Sequence, residues 1–150
     1  MKNEIKEILK KAANIYDIPA SIGSLTLLCD QIEYGEWDEK TYKQTLNILL
    51  DTFFHNELKN EYRQALHRAI NLLIGQNYFD LSDKDLFILF DILNNSKHPG
   101  FIDSAIYMLS LTFDPRHIPF IEKFLSHSEK IVRDSAEEAI SDLKTRIIEA

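Results

Sequence analysis

One cysteine, four glycines and four prolines are all that 150 residues hold of these types, and each scarcity excludes something. Cys29 alone can form neither an internal disulfide nor a cysteine-based zinc site. The nearest two glycines, Gly23 and Gly35, stand too far apart for a phosphate-cradling loop or a dinucleotide fingerprint. A Gly-x-Ser-x-Gly nucleophile elbow is missing as well. No wholly apolar run is longer than that of Leu86 to Phe90, far short of the ~20 residues that cross a bilayer. The opening Met1-Lys2-Asn3-Glu4-Ile5-Lys6 carries charge where a secretory signal needs an apolar stretch. Bases are the minority: Lys plus Arg number 17 against 24 Asp plus Glu, a net charge of −7. Coating nucleic acid or anionic lipid needs a positive face, so neither nucleic acid nor membrane is expected as a partner. The histidines, His55, His67, His98, His117 and His127, never fall three or four residues apart, which leaves no helical metal pair.

What is present is an ordinary globular composition, 45% apolar and 27% charged, in a length that suits a single domain over residues 1–150. Glycine and proline punctuate segments in which apolar residues recur at three and four, the period of a helix with one buried face. Ile5, Ile8, Leu9, Ala12 and Ile15 or Tyr16 form one such stripe. Tyr42, Leu46, Leu49, Leu50 and Phe53 form another, and Val132, Ala136, Ala139, Ile140, Leu143 and Ile147 a third. Strand-like alternation and hairpin dipeptides are not found, so the fold class is all-α. Asp38 can cap a helix, with Trp37 before it and Tyr42 inside as a hydrophobic staple. Ser82 repeats the device with Leu81, Asp85 and Leu86. Asp114-Pro115 is a cap followed by proline in the first turn. Gly35 and Gly75 stand where a left-handed residue would end a helix. These signals predict eight helices over 3–16, 20–34, 38–54, 57–74, 82–94, 99–112, 115–126 and 129–148.

Shifted by 31 residues, the last two helix pairs align with each other. Asp83 falls on Asp114, Phe87 on Ile118, Phe90 on Ile121 and Leu93 on Phe124. Phe101-Ile102-Asp103-Ser104-Ala105 then falls on Val132-Arg133-Asp134-Ser135-Ala136, and Leu109 on Ile140. A period of 20–50 residues built from helix pairs marks a solenoid, and the small Ala105 and Ala136 allow neighbouring helices to approach. A weaker echo at 36 residues places Ala69, Leu72 and Leu73 on Ala105, Met108 and Leu109.

Asp114-Pro115-Arg116-His117-Ile118-Pro119, followed by Val132-Arg133-Asp134-Ser135-Ala136 and Ala139-Ile140, resembles a HEAT repeat. The resemblance extends to 83–113, where Ile102 and Lys84 replace the arginine and proline that family favours. It implies a right-handed α-solenoid of about four antiparallel helix pairs, with second helices lining a concave surface. HEAT-like folds mostly bind other macromolecules, although a fold does not settle a function.

The constellation with most to say about binding lies on the last helix. Asp134, Glu138 and Asp142 fall at i, i+4 and i+8 and so share a face, with Lys130 placed to offset Asp134. The 31-residue register sets Asp103 beside Asp134, Tyr107 beside Glu138 and Leu111 beside Asp142. The weaker register adds His67 and Asn71. An aromatic anchor flanked by carboxylates suits a partner-binding strip; the alternative is an ordinary solvated helix face with Tyr107 tucked into the core. Cys29, at helical spacing with Ile22, Leu25 and Ile32, reads as a buried, inert thiol. Asp30, Glu33, Glu36, Asp38 and Glu39 read as a solvated acidic stretch. His98 and His127 flank helix ends, where imidazole serves as a local hydrogen-bond partner.

No catalytic, cofactor-binding or metal-binding residue emerges. The expectation is a cytoplasmic, non-enzymatic protein that binds another protein. Small acidic HEAT-like proteins resemble some bacterial immunity proteins, which implies a partner such as a basic, nuclease-type toxin held one-to-one on an acidic face. A HEAT-like adaptor within a larger assembly is the second reading. A HEAT-like enzyme such as a DNA glycosylase is the third, disfavoured because such enzymes use a positive groove.

Overall fold

The computed structural model describes residues 3–14, 16–75 and 80–149, with side chains as far as residue 145. Among these residues there is no strand, and the chain is all-α. Eight α-helices follow one another: α1 (Asn3–Ala12), α2 (Ile18–Tyr34), α3 (Glu39–Phe54), α4 (Asn60–Gly75), α5 (Asp83–Asn95), α6 (Pro99–Ser110), α7 (Ile118–Glu122) and α8 (Lys130–Glu149). Single 3-10 turns, Pro115–His117 and Lys123–Ser126, flank α7. The chain divides into two compact units, Met1–Asp85 and Leu86–Ala150.

In the first unit α1 packs on α2, α2 on α4, and α3 on α4. The apolar stripes do the packing: Leu46, Leu49, Leu50 and Phe53 of α3, and Leu66, Ala69, Ile70 and Leu73 of α4, are all buried. Each large side chain buried in this way contributes roughly 1.5–3 kcal/mol relative to exposure. The first helix ends at Ala12, not at residue 16. The fully buried Tyr62 donates its hydroxyl to the Ala12 carbonyl at 2.6 Å. Ser21 Oγ meets the carbonyls of Lys11 and Asn14. Carbonyls that a longer α1 would bond internally are satisfied from α2 and α4 instead. Tyr16, placed on the apolar stripe as the alternative to Ile15, is exposed beyond the helix end; Ile15 itself, and the side chain of Ile147, lie outside the described residues. Asp17 accepts from Ala20 N–H at 3.4 Å and Pro19 occupies the first turn, so α2 begins at Ile18, two residues early.

Gly35 closes α2, but its backbone is extended (φ −87°, ψ 154°) and its N–H bonds the Gln31 carbonyl at 2.8 Å. Neither it nor Gly75 is left-handed. What Gly35 provides is space, since a Cβ there would collide with the Gln31 carbonyl and sit 3.0 Å from Trp37 Nε1. The expected caps form: Asp38 accepts from Thr41 N–H at 2.7 Å, with Trp37 half-buried outside and Tyr42 buried within. Ser82 and Asp85 close a reciprocal box, Ser82 Oγ accepting from Asp85 N–H at 3.2 Å and donating to its carboxylate at 2.7 Å.

In the second unit α6 packs on α8, and α7 with its flanking turns packs on α8 as well. Pro99 and Lys130 open α6 and α8 at the 31-residue shift, and Ala105 and Ala136 are both fully buried. Phe90 of α5 lies 4.7 Å from the Phe120 ring of α7 and 5.8 Å from His117. The seventh helix is not continuous over 115–126. Asp114 caps it as expected, accepting from Arg116 N–H at 3.0 Å, but the turn it opens is 3-10. Pro119 lacks the N–H that would bond the Pro115 carbonyl, so the α-helical ladder starts only at Ile118. The sixth helix stops at Ser110, two residues short, where Ser110 and Thr112 hydroxyls take the carbonyls of Tyr107 and Leu109 at 2.6 Å each. Phe113 then adopts the left-handed conformation (φ 55°) that glycine usually supplies.

Candidate partner-binding face

Five of the seven candidate binding residues belong to the second unit, on two helices that pack together. Asp103 and Tyr107 lie one turn apart on α6; Asp134, Glu138 and Asp142 follow at successive turns of α8. Ser135 Oγ lies 3.5 Å from the Asp103 carbonyl, a contact between α6 and α8 one residue away from the Asp103–Asp134 pairing of the 31-residue register. Asp134, Glu138 and Asp142 are exposed and Asp103 is half-buried. Tyr107 is 43% exposed, so it is not tucked into the core, because it lies on the side of α6 opposite the stripe formed by Ile102, Ala105, Ile106 and Leu109. Leu111, at the end of the row, is half-buried in the turn that follows α6.

The charges on this face are only partly offset. Lys130 pairs with Asp134 one turn away, as the spacing predicts. Arg133, the other base in the opening turns of α8, is held by the carbonyls of His127 and Ser128 at 2.8 and 2.9 Å. Among the described residues Glu138 and Asp142 have no ion pair. Like charges one turn apart cost a helix roughly 0.2–0.5 kcal/mol per pair, a cost that a basic group on this face would remove.

His67 and Asn71 belong to the first unit, on α4. Asn71 Nδ2 lies 2.9 Å from His67 Nδ1, and the His67 ring is 5.7 Å from Phe53. Both are half-buried, and Arg63, one turn before His67, sits 5.0 Å from the same Phe53 ring.

Several of the other polar groups are engaged locally. Cys29 is buried, and desolvation pushes its thiol pKa up against the opposing influence of Arg68. Burial holds His117 below the usual imidazole range, although Asp114 pulls it upward. His98 Nδ1 accepts from Phe101 N–H at 3.3 Å and caps α6; His127 Nδ1 accepts from Glu129 N–H at 3.0 Å. The five acids from Asp30 to Glu39 are all exposed, with Asp38 engaged as a cap and Glu39 paired to Lys43. Among the described residues no group of three or more His, Cys, Asp or Glu side chains could hold a metal ion. None of the described helices is long and apolar enough to cross a membrane.

Two features are not marked in the sequence. Phe113 takes a glycine-like backbone without being glycine, so no turn residue marks it. Phe87 is 70% exposed although the 31-residue shift aligns it with the buried Ile118, and Phe120 is 48% exposed with its ring against Phe90. In comparisons with known proteins, no protein-family model and no curated protein sequence matches this chain.

Proposed function

We propose that this protein works by stoichiometric binding of another protein, and that the α6–α8 face is the surface it uses. The carrying observation is the exposed row of Asp134, Glu138 and Asp142, incompletely neutralised and flanked by the exposed ring of Tyr107. Aromatic anchors amid charge of one sign suit a partner of opposite charge. The partner that fits is a basic protein domain, most concretely a nuclease-type toxin whose positive cleft is masked one-to-one, as by a bacterial immunity protein in the cytoplasm. Electrostatic steering then speeds association and makes it salt-sensitive.

The HEAT-like solenoid reading belongs with this proposal. It is supported by the 31-residue agreement of helix starts and by the packing of α2 on α4 and of α6 on α8, the second helices of successive pairs. A right-handed stack of about four pairs would set those helices along one concave side. The net charge of −7 runs against a HEAT-like DNA glycosylase.

The test is to recover the tagged protein from its native host at low and moderate salt and identify what accompanies it. The proposal expects one basic partner at one-to-one ratio, lost as salt rises and harmful when expressed alone. Recovery within a large assembly would replace the inhibitor with an adaptor.

A further inference from the structure

The first unit carries a groove of opposite character to the α6–α8 face. It runs between α1 and α3 and has a volume of about 460 Å³, within the range of small-molecule sites. Leu9 and Ala13 line it from the α1 side and Ile48 from α3. Ile48 is 39% exposed, an apolar side chain left open to this space. Lys6 and Lys10 stand over the same groove, with Gln44 and Asn47 on the other wall.

The two lysines lie one helical turn apart, so their ammonium groups repel. Neither is ion-paired among the described residues, although Glu4 and Glu7 share their helix. No acid lines the groove among the described residues, and Asp85, which interacts with Asn47, is fully buried. In a chain of net charge −7, two unneutralised bases over an apolar floor are a local inversion of charge. An anion between them removes the repulsion, and an apolar tail attached to it covers Leu9, Ala13 and Ile48.

We propose that the α1–α3 groove binds a free anionic amphiphile, a monocarboxylate with a straight apolar tail. The headgroup is held by Lys6 and Lys10, the tail lies along Leu9, Ala13 and Ile48, and the amides of Gln44 and Asn47 border the headgroup. This site is independent of the partner-binding reading and stands or falls separately.

The experiment is a titration of the full-length, isotope-labelled protein followed by amide NMR shifts. Octanoate, kept below its micelle concentration, is the probe; acetate supplies the head without the tail, and octyltrimethylammonium the tail with opposite charge. The expected result is saturable shifts confined to α1 and α3 with octanoate, at least about tenfold weaker with either control. Lys6→Gln combined with Lys10→Gln, both exposed positions, lowers octanoate affinity by at least about tenfold, while Glu4→Gln with Glu7→Gln leaves it unchanged. Equal binding of the cationic amphiphile, shifts outside α1 and α3, undiminished binding by the lysine variant, or no saturable response to octanoate overturns the proposal. A response to anionic lipid vesicles without one to octanoate overturns it too, in favour of a membrane headgroup.

Discussion

Tyr62 of α4 donates its hydroxyl to the carbonyl of Ala12, fifty residues earlier in the chain, and that bond sits where α1 stops. The ring is fully buried, so removing the hydroxyl leaves a carbonyl that water does not reach. Tyr62→Phe is expected to destabilise the protein by about 1–2 kcal/mol, read from urea unfolding. Burial also pushes the phenol up to about 12. In an absorbance titration Tyr62 stays protonated well above the pH at which exposed tyrosines ionise; its ionisation near 10 would contradict the packing described.

Asp85 gives a prediction of opposite sign. It closes the Ser82 box, yet it is fully buried and its Oδ1 has no hydrogen-bond partner. Desolvation raises its pKa, only partly opposed by the hydrogen bonds from Ser82, by Asn47 and by the charge of Lys43. A folded-state pKa above the unfolded one means that folding favours the protonated form. The stability tied to that proton is fully present below the unfolded pKa and is lost as pH rises through the folded value. Asp85→Asn, neutral at every pH and still able to accept from Ser82, is therefore expected to stabilise the protein at pH 7. Its advantage over the parent should shrink as pH is lowered. Urea midpoints of both proteins across that range check this, and a variant weaker than its parent at pH 7 contradicts it.

Gly35 and Gly75 make a matched pair. An added Cβ at Gly35 meets the Gln31 carbonyl and the Trp37 indole, whereas at Gly75 it meets nothing within 4 Å and the backbone is not left-handed. Gly35→Ala should destabilise by about 1–3 kcal/mol, as overpacking does. Gly75→Ala should stabilise by about 0.4–1 kcal/mol through the unfolded chain. Thermal melts of the two variants separate these effects; a matching shift for both would mean that the crowding by Trp37 is not real.

These positions show where sequence reasoning reaches and where it stops. The caps at Asp38, Ser82 and Asp114 were legible because an N-cap is satisfied within three residues of itself. The acidic row on α8 was legible for a similar reason, since i, i+4 and i+8 share a face of any helix. The end of α1 was not, because Tyr62 and Ser21 decide it from other helices. Pro119 is in plain view within the Asp114–Pro119 motif, yet its missing N–H splits the seventh helix. Gly35 looks in the sequence like a position for backbone freedom, while its actual constraint is the nearness of the Gln31 carbonyl and Trp37. Tyr107 could be assigned to a face, but its exposure depends on which stripe α6 turns toward α8.

The most direct test of the binding face is a comparison of two charge reversals, with affinity for the recovered partner measured by calorimetry. Asp134→Lys with Glu138→Lys alters the α8 row; Glu4→Lys with Glu7→Lys changes total charge equally at exposed positions on α1. The account predicts a loss of about a hundredfold or more for the first pair and less than about threefold for the second. Equal losses from the two pairs would mean that only net charge matters, and the α6–α8 face would not be the site.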